Sequence, residues 1–116
     1  IWKLSDGKVT VNVSNCGENV CATIIGLANP LSKIDGKPKV DRENPNESLR
    51  NRPIIGLSIL IGMKQVGDGK YRGKIYNPDD GNTYNAKVAI SDNIMSVKAC
   101  VAVGLLCRTK TFIRSE

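Results

Sequence analysis

Four cysteines are the residues in this sequence whose spacing speaks most directly to chemistry. Cys16 and Cys21 have four residues between them, Cys100 and Cys107 have six. The first spacing suits a zinc knuckle, but the second does not, and the chain has no histidine to complete a site. Four cysteines permit three pairings, and their order along the chain does not choose among them. Each pair spans a predicted turn, where facing strand residues come within bridging distance. That favours two local disulfides over crossed pairing or over free or metal-bound thiols. Disulfides belong outside a reducing cytosol. The chain opens at Ile1-Trp2, with no basic n-region and apolar h-region. Any signal peptide is expected to have been removed or omitted, and a periplasmic or secreted location is expected.

Other reactive groups point to fewer reactions. Without histidine, no imidazole can act as base, metal ligand or pH switch. No G-x-S-x-G elbow occurs, and Asp79 and Asp80 are neighbours on one turn rather than carboxylates set across a cleft. The expectation is a protein that is not an enzyme, with no catalytic residues, cofactor or metal. The segment Tyr76-Asn77-Pro78-Asp79-Asp80-Gly81 offers oxygen ligands, yet lacks the alternate spacing and distal glutamate of a calcium loop. A hairpin turn whose side chains bond local amides explains it better. Arg50 and Arg52 are set two residues apart in the segment that leads out of the long loop. They are suited to clamp a carboxylate or phosphate, or to pair with Asp41, Glu43 or Glu47 and pin a loop over a barrel mouth.

The elements that must position these groups are strands. Lys8 to Ser14 alternates apolar and polar residues, the period of a strand with one buried face. Val20 to Leu27 follows across a turn. Ile55, Leu57, Ile59, Ile61 and Met63 share one face of a third strand, with glycine and serine on the other. Lys70–Asn77 and Thr83–Ile90 flank the proline-containing turn, and Ile94–Val101 and Leu106–Ile113 form a last hairpin around Gly104. The 116 residues make one domain, 1–116. Its expected architecture is all-β, an antiparallel up-and-down meander of about eight strands closed into a barrel. From residue 29 to 53 the chain is polar and carries four prolines, a long loop of the kind that is usually functional. Within it, Asn46 to Arg50 has the composition of one short helical turn.

Charge and ring content narrow the partners. The net charge is +6, from 17 basic and 11 acidic residues, and no basic block reaches five. Basic and acidic residues alternate along the chain, which reads as solvated surface. Aromatics are only 4% of the sequence, too few to stack successive bases. No nucleic-acid partner is expected. No apolar run approaches the length of a transmembrane helix.

Three blocks carry a family resemblance: Cys16-Gly17-x-x-Val20-Cys21; Asp41-x-x-Asn44-Pro45 leading to Leu49-Arg50-x-Arg52-Pro53-Ile54-Ile55-Gly56; and Gly73-Lys74-Ile75-Tyr76-Asn77-Pro78-Asp79-Asp80-Gly81-x-Thr83-Tyr84. In these blocks and their order the chain resembles the small exported bacterial proteins known as domain of unknown function 2147. Trp2 matches the family's early tryptophan, and Arg108-Thr109-x-Thr111-Phe112-x-Arg114 its closing strand, with Phe112 where a tryptophan is usual. Cys100 and Cys107 stand where the family usually has glycine. If Cys16 and Cys21 occur in relatives that lack the second pair, they bond each other; the resemblance thus implies local pairing. It also implies a lipocalin-like (calycin) barrel, closed at one end by Trp2 beneath Arg114, a contact worth on the order of 0.5–2 kcal/mol.

The resulting expectation is a small exported barrel that holds an apolar or amphipathic small molecule. Inward candidates are Val11, Val13, Ile59, Ile61, Tyr71, Ile75, Tyr84, Val88 and Val97, with Arg50 and Arg52 at the mouth. The competing expectation is an envelope interaction module whose interior is filled by side chains.

Overall fold

The computed structural model describes residues 1–101 and 106–115. Eight strands follow one another: β1 (Trp2–Leu4), β2 (Val9–Cys16), β3 (Asn19–Leu27), β4 (Leu60–Gly67), β5 (Lys70–Asn77), β6 (Asn82–Ser91), β7 (Ile94–Val101) and β8 (Leu106–Arg114). Every neighbour in sequence is a neighbour in the sheet, all pairs are antiparallel, and β1 pairs β8 to close the barrel. Gly104, the expected pivot of the last hairpin, lies outside the described residues.

The period-two pattern explains the core. Trp2, Val11, Ala22, Ile24, Ile59, Met63, Ala86, Val88, Met95, Val97 and Phe112 are buried on the inner side. The register sets them opposite one another: Trp2 against Val11, Val88 against Val97, Met95 against Phe112. Burying such side chains contributes roughly 1.5–3 kcal/mol each. At the end where β1 begins and β8 finishes, the Arg114 guanidinium lies 4.4 Å from the Trp2 ring centroid. Its Nε donates to the Asp92 carbonyl, tying β8 to the β6–β7 turn.

The expected long strand around Ile54–Met63 needs correction. Residues 54–59 run along β3 through Ile24 N–H to Leu57 O and Ile59 N–H to Ala22 O, but Gly56, at φ +99°, bends this stretch, and the ladder of β4 begins only at Leu60. Gly62, at φ +58°, then bulges β4, with a register shift between Ile61 and Lys64. Such a bulge resets which side chains face inward. Leu60 and Met63 take the interior, and Ile61 is left 49% exposed. Ile61 is therefore not an interior residue. Ile55, from the same predicted face, is also exposed.

Both disulfides are local. Cys16–Cys21 clamps the β2–β3 hairpin, and Cys100–Cys107 joins directly opposed residues of β7 and β8.

Candidate functional site

The long loop between β3 and β4 is organised by one buried carboxylate. It folds on itself through bridges between Leu31 and Pro38 and between Val40 and Pro53. A single 3-10 turn, Glu47–Leu49, is capped by Asn46, whose Oδ1 accepts from the Ser48 N–H. Asp41 sits at its centre with no exposed surface. Its Oδ1 accepts from the Tyr76 hydroxyl at 2.6 Å, and its Oδ2 accepts from Asn44 Nδ2 and from Arg52 Nε, both at 2.8 Å. The Arg52 guanidinium also lies 5.7 Å from the Tyr76 ring centroid. Burial pushes the Asp41 pKa upward, but the bonds from Tyr76, Asn44 and Arg52, with the Arg52 charge, outweigh it and hold the carboxyl below its ordinary value. Burial, then the Asp41 hydrogen bond, push the Tyr76 phenol up to about 12.

This arrangement assigns both arginines to the loop. Arg52 is bound to Asp41, one of its three expected partners. Arg50 donates through Nε to the Asn44 carbonyl at 2.7 Å and lies 3.7 Å from Glu47. Glu43, the remaining candidate, meets β5–β6 through its backbone: a Cβ on Gly81 would fall 1.8 Å from the Glu43 carbonyl oxygen. The loop is thus fastened to the rim at Tyr76 and Gly81. Tyr76 is buried with the core residues, and its backbone N–H donates to the Ile59 carbonyl, so the loop is fastened against the end of the core.

The Tyr76–Gly81 segment is a hydrogen-bonded turn. Asp79 N–H donates to Asn77 Oδ1, Gly81 N–H to the Asn77 carbonyl, and Asn82 N–H to Asp80 Oδ1. The Tyr84 hydroxyl donates to Asp80 Oδ2, a bond that raises the Tyr84 pKa.

Of the interior candidates, Val11, Ile59, Val88 and Val97 are buried, and Val13, Tyr71, Ile75 and Tyr84 are half-buried. The inner wall also carries groups that the sequence reading did not place there. Phe112 faces inward, so two-residue alternation brings Lys110 and Arg108 to the same side, opposite Val97 and Ala99. Both are exposed, and the Arg108 charge is felt at Tyr84. β1 is only three residues long and meets β8 from Phe112 onward. Among the described residues, the ladder therefore leaves β8 without a strand partner on that side from Leu106 to Lys110. The signal for Arg108 and Lys110 was present in the alternation of β8, once Phe112 is fixed as core. The signal for Asp41 was its spacing to Asn44; nothing local in sequence points to Tyr76.

Comparison with known proteins agrees with this geometry. A family model described as "Uncharacterized protein conserved in bacteria (DUF2147)" matches residues 1–114. No curated protein matches the chain. Among solved structures, protein HP1028 of Helicobacter pylori, described as belonging to the lipocalin family, superposes with a TM-score of 0.78 at 30% identity. The match covers 91% of this chain and 71% of that one.

Proposed function

The chain belongs to the bacterial DUF2147 family, its fold is a lipocalin-like barrel, and from that premise we propose that it is a non-enzymatic, exported binder of a small amphipathic molecule held in the barrel. The observation that carries this reading is an apolar inner wall ending in a polar edge, with Tyr84 and Arg108 near the β5–β6 and β7–β8 rim and Lys110 one alternation deeper on β8. An apolar lining with a few placed polar groups is what a small-ligand site requires. Small residues support it: Ala86 and Ala99 face each other on the inner wall. Beside Ala86, the bulged β4 presses on its strand partner Gly73, where a Cβ would lie 2.8 Å from the Ile61 and Gly62 carbonyl oxygens. That bulge, with Met63 fully buried beside it, fills one side of the interior. In this reading the ligand lies on the β6–β8 side, under Tyr84 and Arg108. The ligand's acidic head would meet Arg108 and Lys110, and its apolar body would lie along Ala86, Ala99 and Ile75. The two disulfides support an oxidising compartment, periplasmic or extracellular.

The test is native mass spectrometry of protein purified from its host, followed by displacement of a fluorescent fatty acid. A bound mass or displacement is expected. Absence of both at tens of micromolar removes the reading and favours a side-chain-filled barrel that acts through its surface.

A further inference from the structure

The barrel's outer wall segregates charge in a way that the linear sequence conceals. None of the strands β4 to β8 contains an aspartate or glutamate; the acids of this half of the chain lie in turns or at its end. The register places four cations abreast on the outer side: Lys64 opposite Arg72, Arg72 opposite Lys87, and Lys87 opposite Lys98. Adjacent strands are about 4.8 Å apart, and like charges directly opposite destabilise a sheet. Among the described residues the ion pairs belong to the long loop, and none relieves this row. In the next row Ala89 and Ser96 oppose each other. Their small side chains floor a groove of about 370 Å³, walled by Lys70, Arg72, Lys87 and Lys98 and edged by Val66, which is 62% exposed.

We propose that this groove docks the protein on anionic phospholipid. The headgroup phosphate lies between the cationic side-chain ends, and the glycerol and upper acyl carbons lie against Ala89, Val66 and the lysine stems. Two features select this occupant. A cluster of unneutralised basic residues is attracted to an anionic membrane surface, and the apolar floor beneath those charges gives a free phosphate nothing to contact. A single-stranded nucleic acid would need stacking rings, and Tyr71, the one aromatic residue at the groove, belongs by register to the inner face. The proposal is independent of what the barrel interior holds.

The experiment is co-sedimentation of the full chain with vesicles of phosphatidylcholine alone and of phosphatidylcholine with phosphatidylglycerol in equal parts. Binding is expected to the anionic vesicles only and to fall as salt is raised. The double variant Lys87→Glu/Lys98→Glu should weaken binding at least about tenfold. The charge-matched control Lys33→Glu/Lys37→Glu, in the long loop, should leave binding intact; circular dichroism and thermal melting of each variant confirm folding. Equal loss in the control, no preference for anionic vesicles, or equally tight binding of inorganic phosphate or of an oligothymidylate overturns the proposal.

Discussion

Asp41 organises the long loop, because three side chains from the loop and from β5 converge on one carboxylate with no exposed surface. Its pKa is depressed in the folded state, so the ionised form is favoured by folding. The stability it contributes is complete above the unfolded value, 3.8, and is lost as pH falls through the lower folded value. Asp41→Asn removes the charge that Arg52 and Tyr76 address, and is expected to cost about 1.5–3 kcal/mol at neutral pH. Denaturant unfolding at a series of pH values checks this: the variant's curve should flatten on the acid side, and an unchanged acid limb would refute the assignment. Arg52→Ala should lower the melting temperature and speed proteolysis between residues 29 and 53. Arg50 is anchored to a backbone carbonyl and an exposed glutamate, so Arg50→Ala should speed cleavage with little change in melting. Fatty-acid displacement should be unchanged in both. Weakened displacement in Arg50→Ala alone would return that residue to the ligand site.

At the level of elements, the strand hairpins were legible because alternation and turn residues agree; Lys70–Asn77 and Ile94–Val101 have the bounds that periodicity assigns them. The exception is β4. The uncharged run from Ile54 to Met63 carries Gly56, Ser58 and Gly62, small residues that suggest a tight bend or a close neighbour without fixing the phase, and the change is made by backbone, at Gly56 and Gly62. Ile61 was lost to the exterior for that reason. The loop's attachment was illegible in the same way, since Tyr76 lies 35 residues from Asp41 and its partner is set by the barrel's closure, not by spacing. Gly81 marks the contact. Its φ of +74° and its approach to the Glu43 carbonyl leave no room for a side chain, so Gly81→Ala is expected to destabilise by about 1–3 kcal/mol. Hydrogen exchange should accelerate in the loop and the β5–β6 turn together; acceleration in the turn alone would separate the two. The disulfides act on neighbouring strands of their own hairpins. Each closes a short loop and contributes about 2–3 kcal/mol by the chain-entropy estimate. Replacing both Cys100 and Cys107 with serine should lower stability by that amount, and non-reducing peptide maps of the native protein should show no peptide joining the N-terminal pair to the C-terminal pair.

For the whole molecule, closure joins the first strand to the last, and it also decides where a ligand could be met. The end that carries Trp2 and the close of β8 is shut by Trp2 beneath Arg114 and by the bond from Arg114 to the β6–β7 turn. The opposite end has a long β8 running past a short β1, with Arg108 and Lys110 on its inner side. The conspicuous cations of the sequence are Arg50 and Arg52 on the long loop; the alternation of β8, with its register against β7, brings a second pair to the inner side. The two assignments make different predictions. If an acidic amphiphile is held with its head at Arg108, Arg108→Ala should weaken fatty-acid displacement by about 1.5–3 kcal/mol, the worth of a charged hydrogen bond. Because Arg108 is exposed and its strand neighbours supply the packing, the melting temperature should change little. Lys110→Ala, one alternation deeper, should act in the same direction and more weakly, since a lysine offers a point charge rather than a planar fork. A ligand bound with its head at the loop would leave both variants at wild-type affinity, and that result would move the site from the β8 wall to the loop.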